Sequence, residues 1–176
     1  IPAGVVGILL DDLIPDSILL IALMLIVYGV IYILLETKYR VPTRVKSLNR
    51  LTYLDALKIG LFQCLAIVPG TSRSGSTILG GMLLGIDRYV STEFSFFLAM
   101  PVMAGQSLLK LLKYGLYYTG GEVVILIVGT NTAFITSLLV CRKLLDYIKK
   151  HDFRIFGIYR IILGVVILVY FLFIKK

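Results

Sequence analysis

Charge is sparse in this sequence. Only 16% of its 176 residues are Asp, Glu, Lys or Arg, against 59% hydrophobic, whereas a soluble domain carries nearer a quarter charged. Too little charge remains to coat a folded core, which excludes an ordinary soluble globule. Cysteine is scarce as well. Cys64 and Cys141 lie far apart inside apolar stretches, so they read as small packing residues rather than as a disulfide or a metal site. The one histidine, His151, has no Cys or His partner at zinc spacing and reads as a plain loop residue. No Gly-Lys-Ser/Thr closes a Walker loop. Ile1-Pro-Ala-Gly-Val-Val-Gly-Ile-Leu-Leu10 has no initiator Met, no basic stretch and no cleavage site, so it is not a signal peptide. Ten apolar residues cannot cross a bilayer. They read as the second half of a helix ending at Asp11-Asp12, with the expectation that an N-terminal part is missing.

What is present falls into apolar blocks of about twenty residues, the length a helix needs to cross roughly 30 Å of hydrocarbon. Ser17 to Leu35 is one span, opened by Pro15-Asp16-Ser17 and closed by Glu36. Phe94 to Leu112, interrupted by Pro101 and Gly105, is a second; Val123 to Val140 is a third, and Ile155 to Ile174, ending in Lys175-Lys176, is the last. Tyr114, Tyr117 and Tyr118 suit an interfacial belt. The fold class is an all-α polytopic membrane protein, read as a single membrane domain over residues 1–176. The net charge of +8 comes largely from two loops, Thr37–Arg50 (Lys38, Arg40, Arg44, Lys46, Arg50) and a later one with Arg142, Lys143, Lys149, Lys150 and Arg154. Both fall on the same side, the positive-inside pattern, so the charge reports topology and no nucleic-acid partner.

Residues 51–89 behave differently. Leu51 to Val68 carries Asp55, Lys58 and Gln63 in a helical pattern, expensive for a lipid-facing span. The apolar run Ile78 to Ile86 is too short to span and contains Gly80, Gly81 and Gly85. Length predicts a re-entrant hairpin that turns at Pro69-Gly70, tolerated at membrane depth only where protein or a water-filled cavity surrounds it.

The tip, Pro69-Gly-Thr-Ser-Arg-Ser-Gly-Ser-Thr77, concentrates groups that suit a phosphate. Arg73 offers a planar fork whose charge is permanent. Gly70 and Gly75 allow backbone N–H groups to converge, and a helix beginning near Ser76 would aim its N-terminus at the same spot. Thr71, Ser72, Ser74, Ser76 and Thr77 supply hydroxyls. Gly70 through Thr77 are therefore the candidate phosphate-binding residues, with Arg73 and Ser72 as the candidate catalytic pair. Against this stands a plainer account in which the hydroxyls cap a helix and Arg73 snorkels to a headgroup. Capping needs one or two hydroxyls, not five. Gln63 is a candidate supporting residue or a packing one. Asp55 and Lys58 read as a helical ion pair, Glu93 as favouring a helix N-terminus, and Asp87-Arg88 as an ion pair closing the returning helix. No residue here makes a convincing general base.

From Gly60-Leu-Phe-Gln-Cys-Leu-Ala-Ile-Val-Pro-Gly-Thr-Ser-Arg-Ser-Gly-Ser-Thr77 the sequence resembles the bacitracin-resistance family of undecaprenyl-diphosphate phosphatases. Pro2-Ala-Gly-Val-Val-Gly-Ile-Leu9, Gly85-Ile-Asp-Arg88 and Phe94-Ser-Phe-Phe-Leu-Ala-Met-Pro-Val-Met103 agree with it. The resemblance implies an enzyme of the bacterial cell membrane that removes the terminal phosphate of undecaprenyl diphosphate, recycling the lipid carrier for cell-wall synthesis. It implies an inverted repeat in which two re-entrant hairpins meet, a divalent cation (magnesium or calcium), and phosphate-site roles for Ser72, Arg73 and Thr77. It leaves a homodimer open and does not identify the metal ligands. One departure matters: the family's Glu-x-x-x-Glu motif with its histidine is missing, because Glu36, Glu93 and Glu122 are never four apart. The expectation is that this chain alone is inactive. A transporter or flippase of an anionic polyprenyl lipid is the alternative reading, since re-entrant hairpins and a membrane arginine suit it equally.

Overall fold

The computed structural model describes residues 17–38, 41–115 and 118–173, with Ala3, Gly4 and Val6. The expected helix end at Asp11-Asp12, Pro15-Asp16, Arg40, Tyr117, the Tyr114 side chain and Lys175-Lys176 lie outside the described residues. The α-helices run in the order α1 Ile18–Thr37, α2 Tyr53–Phe62, α3 Arg73–Leu83, α4 Arg88–Tyr114, α5 Gly120–Lys150 and α6 Arg154–Phe173, with 3-10 turns at Leu48–Arg50 and Gln63–Ile67. Four of them, α1, α4, α5 and α6, are long and apolar enough to cross a membrane. The chain is an all-α, multi-pass membrane protein. At 10 and 11 residues, α2 and α3 reach only about 15–17 Å each, half the hydrocarbon thickness. They pack on each other, the Phe62 ring lying where a Cβ on Gly80 would stand.

Three boundaries differ from those read in the sequence. The helix α4 starts at Arg88, because the Asp87 carboxylate accepts the Tyr89 N–H at 2.9 Å and the Asp87 carbonyl accepts the Ser91 N–H at 2.8 Å. Glu93 therefore sits in the second turn rather than at a helix start. The helix α5 runs on for 31 residues, so Arg142, Lys143, Lys149 and Lys150 lie on it rather than in a loop. A helix of that length covers about 46 Å, more than hydrocarbon alone, and its last turns carry the charge. The helix α3 begins at Arg73 rather than near Ser76.

Contacts divide the chain into two units, residues 1–95 with 152–176, and residues 96–151. In the first, α1 and α6 cross with almost nothing between their backbones. A Cβ on Gly29 would lie 2.7 Å from the Gly157 carbonyl, and one on Gly164 would lie 2.8 Å from that of Ala22. Small residues at such crossings let helices approach where no hydrophobic effect drives them together. The buried carboxylate of Glu36 accepts from Arg88 at 3.1 Å and from the Phe153 N–H at 3.2 Å, tying the starts of α4 and α6 to the end of α1. Arg88 thus pairs with Glu36 and not with Asp87, whose oxygens cap the helix. In the second unit, α5 opens with a Thr119/Glu122 capping box and ends at His151, whose ring stacks on Tyr147 with centroids 4.1 Å apart. Asn131 satisfies itself within the span by donating to the Ile127 carbonyl at 2.8 Å.

The base of the hairpin is clipped by the preceding loop. Arg44 and Val45 donate N–H bonds to the Gly85 carbonyl at 2.6 and 3.1 Å, and Asp87 N–H returns one to Val45 at 2.8 Å. Asp55 does not pair with Lys58. Its carboxylate reaches back as the capping-box residue of α2 to the Thr52 N–H and hydroxyl, and there it meets Arg44 at 2.5 Å, while Lys58 is exposed. The hydrogen bond from Arg44, aided by those from Thr52 and opposed by burial, lowers the Asp55 pKa to about 2. A depressed carboxylate stabilises the fold above its unfolded pKa and ceases to do so as pH falls through its folded one. The thermal midpoint advantage of the wild type over Asp55→Asn is therefore expected to shrink between about pH 5 and about pH 2. A gap that stays constant across that window would show that Asp55 is not held ionised by Arg44.

Candidate phosphate site

The hairpin tip is built by a division of labour among its hydroxyls. Thr71 is buried, and its Oγ1 lies 3.0 Å from the Leu65 carbonyl and 2.8 Å from that of Val68. It reinforces the turn as a second partner to carbonyls that already accept the Val68 and Thr71 N–H groups. Ser72 caps α3: its Oγ accepts the Gly75 N–H at 3.3 Å, and its carbonyl accepts the Ser76 N–H at 3.0 Å. Ser76 is buried against α1, donating to Tyr28 Oη at 3.2 Å, and Thr77 meets Ser95 of α4 at 2.7 Å. Tyr32, one turn beyond Tyr28, donates to the Gly75 carbonyl at 3.2 Å. Of the five hydroxyls, Thr71, Ser76 and Thr77 face inward and hold the hairpin. Ser72 and Ser74 remain at the tip, 3.4 Å apart, with Ser74 exposed.

Arg73 stands at the first helical position of α3. A cation there meets the positive end of the helix dipole, an unfavourable placement unless an anion fills the space between them. Its Nη1 is buried and finds no hydrogen-bond partner among the described residues. A buried charged donor left unsatisfied costs more than the roughly 1–3 kcal/mol of a neutral one. The backbone N–H groups of Arg73 and Ser74, in the first turn, have no carbonyl within the helix to bond. A guanidinium, first-turn amides and two hydroxyls thus belong to the same end of α3, all able to donate. Gln63, in the 3-10 turn before the tip, is buried and its Oε1 is also without a partner among the described residues.

The sequence reading missed the groups that grip this tip from the other helices. Arg160, on α6, donates from Nη1 to the Thr71 carbonyl at 3.2 Å, and its guanidinium carbon lies 5.8 Å from the centre of the Tyr32 ring. One signal was available: Arg160 is the only charged residue between Ile155 and Phe173, and a charge inside a span asks for a reason. Tyr28 and Tyr32 are likewise spaced to share a helix face.

Four helices of membrane length, and a short helical hairpin whose tip arginine has a buried nitrogen without a hydrogen-bond partner among the described residues, define the class as a multi-pass membrane protein with an anion-suited tip. The family described as bacitracin resistance protein BacA matches residues 1–166, and the chain belongs to that family. The chain is 56% identical over 174 residues to undecaprenyl-diphosphatase 1 of Clostridioides difficile (strain 630), covering 97% of this chain and 63% of that protein. It is 52% identical over 177 residues to the undecaprenyl-diphosphatase of Desulfitobacterium hafniense, with 97% and 63% covered, and 46% identical over 172 residues to that of Enterococcus faecalis, with 96% and 62% covered. The chain thus spans a little under two thirds of these relatives.

Proposed function

We propose that this chain forms the phosphate-gripping part of a bacterial cell-membrane phosphatase that hydrolyses undecaprenyl diphosphate to undecaprenyl phosphate and phosphate. The observation that carries the reading is the buried Nη1 of Arg73, without a hydrogen-bond partner among the described residues, in the first turn of α3. A terminal phosphoryl group supplies what that arrangement lacks: a compact anion with several acceptor oxygens, two of which a guanidinium fork can hold at once. Charge develops on those oxygens during phosphoryl transfer, so donors fixed beforehand lower the barrier more than they tighten ground-state binding. Ser72 and Ser74 add hydroxyl donors, and Thr71, Ser76 and Thr77 hold the turn in shape. Gln63 supports the site from the preceding turn.

The acid–base chemistry is proposed to come from residues outside this chain. The buried carboxylates among the described residues are committed elsewhere, Asp55 to Arg44 and Glu36 to Arg88 and Phe153. Magnesium or calcium belongs to the proposal as a partner of the diphosphate. No group of three or more His, Cys, Asp or Glu side chains gathers among the described residues, and a tip of donors does not fit a cation. The deciding measurement is phosphate release from a polyprenyl diphosphate in detergent. A full-length protein carrying this chain is expected to turn over, and the 176-residue chain by itself is not. An inert full-length protein would sink the proposed activity, and robust turnover by the chain alone would defeat the outside origin of the acid–base groups.

A further inference from the structure

We propose that Arg160 is a positioning residue: by holding the Thr71 carbonyl it turns the Ser72 N–H toward the phosphate at the hairpin tip. The inference rests on the tip being a phosphate site, and it concerns a residue on a different helix with no place in the motif.

A trans peptide is planar, with its C=O and N–H pointing in opposite directions. The Thr71–Ser72 peptide is trans, and its oxygen points to Arg160 on α6 at 3.2 Å. Its N–H, which belongs to Ser72, therefore faces away from α6. Ser72 is the only non-glycine residue with positive φ among the described residues, at φ 66° and ψ 122°. A side chain with a Cβ rarely adopts that conformation, and such strain persists only where the surroundings over-determine it. Two restraints do so here. On the C-terminal side, the Ser72 Oγ is held by the Gly75 N–H at 3.3 Å. On the N-terminal side, Arg160 holds the preceding carbonyl. Releasing that carbonyl lets the peptide flip into a relaxed conformation, which reverses the N–H and takes one donor from the tip.

The placement of Arg160 is otherwise hard to account for. A guanidinium seven residues into a membrane-length helix is costly, and no ion pair to a carboxylate is found for it among the described residues. Its contacts are an uncharged carbonyl and the face of Tyr32, whose hydroxyl bonds Gly75 on the far side of the same tip. A charged donor makes the stronger bond to a carbonyl, and a long side chain reaches it from α6. Arg160 and Tyr32 together brace the strained turn, one at the Thr71 carbonyl and the other at the Gly75 carbonyl.

The test uses a full-length protein carrying this chain, with turnover of a polyprenyl diphosphate normalised to folded protein. Arg160→Met is expected to lower kcat by about tenfold to a hundredfold, somewhat less than outright loss of an oxyanion donor, while KM moves by no more than about threefold. Arg160→Lys, which keeps one charged donor, is expected to recover most of that loss. Arg160→Gln, polar but too short to reach, should behave like the methionine variant and decides the matter if that variant does not fold. A purely structural role would change the folded yield and leave the kcat of the folded fraction alone. Wild-type kcat in folded Arg160→Met or Arg160→Gln protein overturns the proposal, as does a lysine variant no better than methionine. A wild type that does not release phosphate takes down the phosphatase reading and this inference with it.

Discussion

Replacing Arg73 with lysine lowers phosphate release in a full-length protein carrying this chain by about 10²–10³-fold, the penalty typical of losing a preorganised donor to developing charge. The thermal midpoint is expected to stay where it was. The reason is the same in both cases. The buried Nη1 of Arg73 has no hydrogen-bond partner among the described residues, so removing it breaks no hydrogen bond described there. An ammonium is a point charge on a flexible stem and cannot hold two phosphoryl oxygens in one plane. It also suffers the same repulsion from the N-terminus of α3 without the geometry that repays it. Activity and stability should therefore separate cleanly. Near-normal turnover in Arg73→Lys would mean that any cation serves, as expected of an arginine that merely reaches a headgroup.

The membrane class and the hairpin were legible because they depend on length and composition, which a sequence displays directly. Spans near residues 18, 94, 123 and 155 were visible as apolar blocks, while one run carrying Asp55, Lys58 and Gln63 and a second too short to cross read as the two arms of a hairpin. The helix ends were less legible, because they are set by caps. Nothing in the apolar pattern says that Asp87 will open α4 about two turns before the apolar run or that Ser72 will cap α3. The motif at the tip also told less than its composition suggested. Five hydroxyls looked equivalent in the sequence, yet their roles depend on what lies opposite each in space: Tyr28 faces Ser76, Ser95 faces Thr77, and the carbonyls of Leu65 and Val68 face Thr71. Those are long-range facts. Ion pairs failed for a related reason. Asp55 with Lys58 and Asp87 with Arg88 were the nearest partners along the chain, but Arg44 and Glu36, 11 and 52 residues away, are the actual ones. Once Asp55 and Asp87 serve as caps, their side chains are turned toward backbone N–H groups, and only an arginine arriving from elsewhere can meet Asp55 there.

Gly70→Ala is expected to be the most damaging single methyl in the first unit. Gly70 has φ 91°, and a Cβ there would stand 2.6 Å from the Ile21 carbonyl oxygen and 2.8 Å from the Ile21 Cα. Both obstacles are backbone, so no side chain can swing aside. The helix α1 cannot retreat easily either, since Gly29 and Gly157 already bring it against α6 at van der Waals distance. A left-handed alanine costs about 1–2 kcal/mol and overpacking about 1–3 kcal/mol. Their sum, roughly 2–5 kcal/mol, corresponds to a fall of roughly 4–20 °C in thermal midpoint for a chain of this size. Gly129→Ala in α5, where nothing lies within 4 Å, is the matched control and should stay within about 0.5 kcal/mol of wild type. Activity should fall together with stability in Gly70→Ala, because a tip pushed off α1 carries Ser72 and Arg73 with it. That is the opposite of the separation expected for Arg73→Lys, and the contrast between the two variants distinguishes seating the site from being the site. A Gly70→Ala protein that melts and turns over like wild type would mean that the tip does not rest on the backbone of Ile21.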